Sequence, residues 1–231
     1  AVNIQAGARY GYLLLWVVLW SSLIAALIQL LSSKLGIATR FSLATLIRQR
    51  LPRWAVVLYW IQAEVLAIAT DIAEFVGASL GFQLLFGMSL LAGAVCTATV
   101  TWAILTLERR GLKPLEVVIG AMLGTVAAIY VGELALSRPD PLAVIRGAAL
   151  PRFADTDSLL IAAGILGATV MPHVIYLHSA LTQNEAQDGR LPRATLFRAS
   201  CWDVGIAMTL ATFVNMSMLA MAAAVFHGTG G

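Results

Sequence analysis

The sequence predicts an all-α integral membrane protein with six transmembrane helices, one of which is broken near its middle. Hydrophobic residues make up 60% of the 231 residues, charged residues only 12%, and the mean hydropathy is +0.86. Soluble domains carry about 25% charged residues, so this composition excludes an ordinary soluble domain. The break is predicted from Pro172, which lies inside an apolar run, because a proline within a helix costs about 3 kcal/mol and removes a backbone donor.

Six apolar stretches reach or exceed the ~20 residues that a helix needs to cross the hydrocarbon core. They are predicted at residues 11–33, 54–80, 88–107, 115–137, 159–181 and 204–226. Gly81 and Gly87 mark the turn between the second and third spans, and the proline-containing segment 137–158 is predicted to be a loop. Asp155 to Ser158, at the end of this loop, is a suitable N-terminal cap for the fifth span.

The basic residues predict how the spans cross the membrane. The loops after the first, third and fifth spans hold five, three and three basic residues, which together are 11 of the 15. By the positive-inside rule these loops are cytoplasmic, and the first span therefore runs from outside to inside. The same rule accounts for the net charge of +3, so no nucleic-acid partner is expected. Segment 36–54 is interpreted as an amphipathic helix at the cytoplasmic interface or, alternatively, as a basic loop.

Three carboxylates lie within the second span. Glu64 and Asp71 are seven residues apart and therefore share one helix face, and Glu74 follows on the adjoining part of that face. Each ionised carboxylate costs roughly 2.5–3.5 kcal/mol at the centre of a membrane helix. Two interpretations remain open: a buried polar network that locks helices together, and a path for protons or cations.

Pro172 stands between two potential metal ligands, the Met171 thioether and the His173 imidazole. Unpaired carbonyls at membrane depth are tolerated only inside protein or beside a cavity, so the broken helix is typical of an ion site. A thioether favours later first-row transition metals over Ca²⁺ or Mg²⁺. Because these donors are neutral, at least one carboxylate is expected from elsewhere, most naturally from a second broken helix facing this one. The alternative for His173 is a hydrogen bond between helices, and His178, Cys96 and Cys201 are interpreted as structural, both cysteines as buried small hydrophobes.

Three segments resemble the Nramp family of divalent-metal transporters. Gly167–Ser179 resembles the signature of their sixth helix, Asn3–Tyr12 is similar to the segment that joins their first two helices, and Ala69–Glu74 is similar to their third helix. The resemblance covers essentially the whole chain. It implies a partial LeuT-like inverted-repeat fold, in which this chain supplies helices two to seven and lacks helix one and helices eight onward.

The resemblance also implies the roles of residues. Met171 would bind the metal through its sulfur and Ala168 through its backbone carbonyl, and an Asp-Pro-Gly-Asn motif upstream of this chain would supply Asp and Asn ligands. The implied proton pathway comprises Asp71, Glu74, Glu64 and His173. The implied activity is proton-coupled import of Mn²⁺ or Fe²⁺ by alternating access across the plasma membrane, in bacteria the inner membrane, with no resident cofactor.

Two other functions are alternatives to metal import. A sodium-coupled carrier of organic solutes with the same fold would not need Met171. A membrane-embedded metalloenzyme could use His173 and His178, but the i, i+4 histidine pair with a glutamate that is typical of zinc hydrolases is missing from the sequence. We therefore expect a protein that is not an enzyme, and the Met171 sulfur argues against the magnesium-transporting relatives.

Overall fold

The computed structural model describes residues 2–108, 112–189 and 191–227, except for the side chains of residues 107–116. These residues form helices and turns, with no strand among them. The helices are α1 (Val2–Tyr10), α2 (Leu15–Thr39), α3 (Leu43–Arg50), α4 (Arg53–Phe86), α5 (Leu90–Glu108), α6 (Leu112–Ser137), α7 (Pro141–Ala149), α8 (Thr156–Thr169), α9 (Pro172–Asp188) and α10 (Arg193–Phe226). A 3₁₀ turn at Gly11–Leu14 joins α1 to α2.

Among the described residues, five helical stretches are long and apolar enough to cross a membrane. They are Val2–Thr39, Arg53–Phe86, Val117–Ser137, Thr156–Asp188 and Arg193–Phe226, and Leu90–Thr106 is a shorter apolar helix. Both α4 and α10 have 34 residues, so each helix extends well beyond the apolar stretch predicted for it. Arg109, Arg110 and Arg190, on which the predicted orientation partly depends, lie outside the described residues.

Local chemistry explains where several helices begin and end. Helix α3 is present, which excludes the alternative of a basic loop, and its N-terminal Thr45 N–H donates to the Ser42 hydroxyl at 3.2 Å. Of the two glycines predicted to mark the next turn, Gly87 does so, and its φ of +67° is in the left-handed region that glycine adopts without strain. Gly81 does not, because a glycine costs only about 1 kcal/mol within a helix and α4 continues to Phe86.

The predicted loop 137–158 contains an additional helix. Helix α7 starts at Pro141, whose missing N–H costs nothing at the first helical position, and the Asp140 carboxylate caps it by accepting from the Leu142 N–H at 3.0 Å. The cap predicted for the next helix is confirmed, since Asp155 and Ser158 form a reciprocal capping box at the start of α8. Pro141, one of the prolines from which the loop is predicted, is therefore the first residue of a helix.

The chain divides into two compact units. The first contains Ala1–Leu51 and Ala127–Gly231, and the second contains Pro52–Val126. In the first unit α1 packs on α10, α2 packs on α9 and α10, and α8 packs on α1 and α2. Its core is built from residues of α1, the 3₁₀ turn, α2, α8 and α10: Ala6, Leu14, Leu15, Val17, Val18, Ile161, Ala162, Ile165 and Leu219.

Small residues allow close helix contacts in both units. A Cβ at Gly36 of α2 would collide with the Ser179 carbonyl of α9 and lie 2.5 Å from the Thr182 hydroxyl. In the second unit a Cβ at Gly93 of α5 would lie 2.5 Å from the Ser79 carbonyl of α4. Such small-residue contacts are typical of membrane helices, whose backbones gain van der Waals contact by approaching closely. The two cysteines are free and half-buried rather than buried as predicted.

Candidate functional site

The fifth predicted span consists of two helices, α8 and α9, separated by two extended residues. Val170 has φ −91° and ψ 79°, and Met171 has φ −77° and ψ 113°, so neither residue is helical. The Val170 N–H still donates to the Leu166 carbonyl at 2.9 Å, which closes the last turn of α8. Pro172 is the first residue of α9, a position that its fixed φ suits. The helix is therefore broken at Met171–Pro172, as the sequence predicts.

Backbone carbonyls at the break lose their helical donors. In a continuous helix the Ala168 carbonyl would accept from the N–H of residue 172, but residue 172 is a proline and has no N–H. The N–H of Val174 donates to the Met171 carbonyl at 3.2 Å instead of to the Val170 carbonyl. The carbonyl oxygens of Ala168 and Val170 therefore keep lone pairs that a ligand could use. Binding a ligand would satisfy these oxygens, which are costly to leave unpaired in a membrane.

The break gathers three of the predicted site residues within six positions of the chain. Ala168 and His173 are exposed in the described structure, and Met171 is half-buried. His178, interpreted as structural, is half-buried on α9, where its carbonyl accepts a hydrogen bond from the Thr182 hydroxyl at 2.8 Å. The non-helical segment therefore brings together three possible ligand groups: a carbonyl oxygen, a thioether sulfur and an imidazole.

Hydrogen bonds to α2 and to the first residue of α3 fix the position of α9. The Ser32 hydroxyl donates to the Ile175 carbonyl, and the Thr182 hydroxyl donates to the Ser33 carbonyl at 3.2 Å. The N–H of Leu43 donates to the Ser179 hydroxyl at 3.0 Å. Because these bonds begin directly after the break, they hold the first turns of α9 against α2 without using the atoms at the break itself.

The far end of α8 is fixed through Asp155. Its carboxylate accepts from the Ser158 N–H at 2.7 Å and from the Tyr10 hydroxyl at 2.8 Å, so it caps α8 and links this helix to the end of α1. The Ser158 backbone hydrogen bond, and then the Tyr10 hydroxyl, lower the pKa of the Asp155 carboxyl below its ordinary value. Both halves of the broken helix are thus anchored away from the break.

The three predicted carboxylates lie on α4 in the second unit. Glu64, Asp71 and Glu74 are all exposed, and within the described residues no hydrogen bond reaches any of them. The contact between α4 and α5 is made elsewhere, through buried Ser79 and Thr97. Both interpretations of these carboxylates, a polar network and a path for protons or cations, remain predictions. The carboxylates and the break belong to different compact units.

One acidic side chain escaped the sequence analysis. Glu133 lies in α6, and its Oε2 atom is buried without a hydrogen-bond partner in the described part of the chain. An acidic residue inside the apolar stretch 117–137 was the signal that could have found it. In the described ranges, no three His, Cys, Asp or Glu side chains come together in a way that could hold a metal ion.

Long apolar helices are the architecture of a helical membrane protein, and a span broken in its middle is typical of transporters. The family model described as "Natural resistance-associated macrophage protein-like", Nramp, matches residues 1–231. The chain belongs to this family, which confirms the resemblance.

Known relatives and solved structures agree with this assignment. The chain is 58% identical over 230 residues to the divalent metal cation transporter MntH of Pectobacterium carotovorum, and 56% identical over 230 residues to that of Aeromonas hydrophila. Both matches cover the whole of this chain, whereas they cover only 55% and 56% of those two proteins. The chain therefore spans about half of their length.

Among solved structures, a manganese transporter of Eremococcus coleocola, in complex with an aromatic bis-isothiourea compound, superposes with a TM-score of 0.83 at 33% identity. That match covers 97% of this chain and 47% of the other. A mutant of the same transporter matches with a TM-score of 0.84 at 32% identity, over 99% of this chain and 48% of the other. The predicted fold class, part of a LeuT-like all-α transporter fold, is therefore confirmed.

Proposed function

We propose that the protein to which this chain belongs imports divalent transition-metal ions, Mn²⁺ or Fe²⁺, together with protons by alternating access. The observation that carries the proposal is the break between α8 and α9, where Pro172 frees the Ala168 carbonyl next to the Met171 thioether. The printed names of the relatives, divalent metal cation transporters, support the same substrate class. The fit of a manganese transporter fold adds to this support.

The metal ion is the transported substrate. Met171 would bind it through sulfur and Ala168 through oxygen, and both donors are neutral. A divalent cation in a low-dielectric site needs opposite charge nearby, which neither of these donors supplies. The family resemblance implies that the remaining ligands are an Asp, which brings negative charge, and an Asn, both upstream of this chain. The thioether favours softer transition metals, whereas Ca²⁺ and Mg²⁺ gain little from it.

Protons would move through a separate set of titratable groups. Asp71, Glu74 and Glu64 form an exposed acidic face on α4, and His173 is exposed beside the break. Ionisable groups at membrane depth are expensive unless they serve a pathway or find partners. Since no hydrogen bond reaches the three carboxylates within the described residues, we assign them to the proton pathway, to be completed by other parts of the whole protein.

The proposed setting is the plasma membrane, in bacteria the inner membrane. The chain would contribute six spans in one transmembrane domain, with α3 on the cytoplasmic side, following the distribution of basic residues. The sodium-coupled carrier of organic solutes receives no specific support, because it leaves the Met171 sulfur unused. A metalloenzyme using His173 and His178 lacks support as well, since the relatives are named as transporters.

The test of this proposal replaces the sulfur ligand in the complete transporter, reconstituted in liposomes. Met171→Ala should reduce Mn²⁺ uptake moderately and allow Ca²⁺ to compete, because selectivity depends on the thioether more than total affinity does. Met122→Ala is the matched control, since Met122 is 56% exposed on α6 and is not part of the break. If Ca²⁺ competes equally poorly in the wild type and in Met171→Ala, the proposed role of the sulfur is refuted.

A further inference from the structure

The amino-terminal part of the chain carries a surplus of positive charge that the proposed transport does not use. Residues 1–63 contain no Asp or Glu. Four basic side chains of this part, all exposed, lie at the end of α2 and along α3: Lys34, Arg40, Arg48 and Arg50. A cationic surface that directly follows a membrane-spanning helix is an electrostatic match for anionic lipid.

Helix α3 separates its apolar and basic sides. Leu43, Leu46 and Ile47 are half-buried, and α3 packs on α2 and α9, whereas Arg48 and Arg50 are exposed. Apolar side chains flank the helix, Phe41 being 45% exposed and Leu51 38% exposed. Exposed apolar groups next to arginines are typical of a segment that lies in the membrane interface, where the apolar groups enter the acyl boundary and the guanidinium groups stay among the headgroups.

Hydrogen bonds hold this segment in place before any lipid arrives. Arg40 ends α2 in the left-handed conformation, with φ +60°, and its carbonyl accepts from the Gln187 amide of α9 at 2.9 Å. The Leu43 N–H donates to the Ser179 hydroxyl, and Ser42 caps the helix. A preordered cationic helix loses little conformational entropy on binding, which favours a lasting association over a transient one.

Neighbouring charges leave this surface positive. Helix α9, against which α3 packs, carries Glu185 and Asp188, both exposed. Helix α10 adds Arg193 and Arg198 on the same side of the first unit, and the Lys34 ammonium lies 6.0 Å from the Phe197 ring centroid. The two acidic groups are outnumbered by the basic groups of α2, α3 and α10.

We propose that Arg40–Leu51, which we call the interfacial segment, is a binding surface for anionic phospholipid headgroups of the adjacent leaflet. The phosphodiester of such a lipid accepts hydrogen bonds from Arg48 and Arg50, and its acyl region receives Phe41 and Leu51. Arginine suits this contact because its planar fork binds two phosphate oxygens at once. The inference requires only that the chain spans a membrane, so it stands whether or not the metal proposal survives.

The test uses the complete transporter in nanodiscs with equal amounts of phosphatidylglycerol and phosphatidylcholine of identical acyl chains. Native mass spectrometry then counts the two lipids that remain bound. The wild type should retain phosphatidylglycerol preferentially, and Arg48→Gln/Arg50→Gln should lose this preference by roughly fivefold per arginine. The matched control is Arg138→Gln/Arg146→Gln, which removes the same charge from exposed positions around α7 and should keep the preference.

Hydrogen–deuterium exchange locates the effect. Amides of residues 40–51 should exchange more slowly in phosphatidylglycerol nanodiscs than in phosphatidylcholine nanodiscs, and high salt should abolish the difference because it screens exposed charges. The proposal is overturned if the wild type retains both lipids equally, or if Arg138→Gln/Arg146→Gln loses the preference as much as Arg48→Gln/Arg50→Gln does. It is also overturned if the amides of the interfacial segment exchange at the same rate in both kinds of nanodisc. Transport activity is not part of any readout, so failure here is distinguishable from failure of the metal assignment.

Discussion

Replacing Gly36 by alanine is expected to push α2 away from α9. The new Cβ would lie 2.5 Å from the Thr182 hydroxyl and closer still to the Ser179 backbone carbonyl, against 3.4–4 Å for an ordinary contact. Relief therefore requires a shift of about 1 Å between the helices. Overpacking of this kind costs about 1–3 kcal/mol, whereas removing a helical glycine returns only about 0.5–1 kcal/mol. The net effect is destabilisation.

The assay is the thermal midpoint of the complete transporter in detergent, followed by its chromatographic profile. Gly36→Ala should lower the midpoint by a few degrees. Gly205→Ala is the control, because nothing lies within 4 Å of a Cβ at that helical position, and it should keep or raise the midpoint. If both variants raise the thermal midpoint by the same amount, α2 and α9 are not as close at Gly36 as the structure shows, and the prediction is refuted.

Three further outcomes are expected in the complete transporter. Pro172→Ala supplies an N–H to the Ala168 carbonyl, so metal binding must compete with a helical hydrogen bond. Calorimetry should therefore give a Kd for the metal ion about 2- to 12-fold weaker than in the wild type. An unchanged Kd would exclude this carbonyl as a ligand. Asp71→Asn should reduce proton entry into proteoliposomes during metal uptake while metal binding survives, with Asp188→Asn as control; equal acidification would make the carboxylate structural. The pKa of the Asp155 carboxyl is lowered in the folded protein, so the stabilisation it provides is complete above about pH 4 and is lost as the pH falls through the lower folded value. The thermal midpoint of Asp155→Asn should therefore depend less on pH than that of the wild type in this acidic range. Parallel curves of midpoint against pH for the two proteins would contradict this.

The break in the fifth span could be predicted because its cause is local. A proline removes a donor and clashes with the preceding turn wherever it stands inside a helix, so Pro172 alone indicates where α8 must end. The Asp155 cap was predictable for the same reason, since a capping box needs only residues three apart. Met171 is predicted from its adjacency to this break, whereas Ala168 is implied only by the family resemblance.

Tertiary partners could not be predicted in this way. Nothing in the sequence around Ser32 distinguishes its hydroxyl, which anchors α9, from the many serine hydroxyls that bond only within their own helix. Gly36 is likewise an ordinary glycine until α9 is seen against it. Glu133 is a single carboxylate in an apolar stretch, as expensive there as each carboxylate of α4, but it has no neighbouring carboxylate to form a recognisable pattern.

The placement of these anchors bears on how an unwound segment persists at membrane depth. Freed carbonyls at Ala168 and Val170 cost several kcal/mol in hydrocarbon, so the surrounding structure must compensate for them. Here the compensation lies at a distance: Asp155 ties the far end of α8 to Tyr10, while Ser32 and other polar groups of α2 bind α9 from its first turns onward. None of these anchors uses the Ala168 and Val170 carbonyls, so both oxygens stay available, as the proposed metal site requires. A stable scaffold and an unsatisfied centre are thus supplied by different residues, and the proposed site could exchange its metal ion without unfolding the helices that present it.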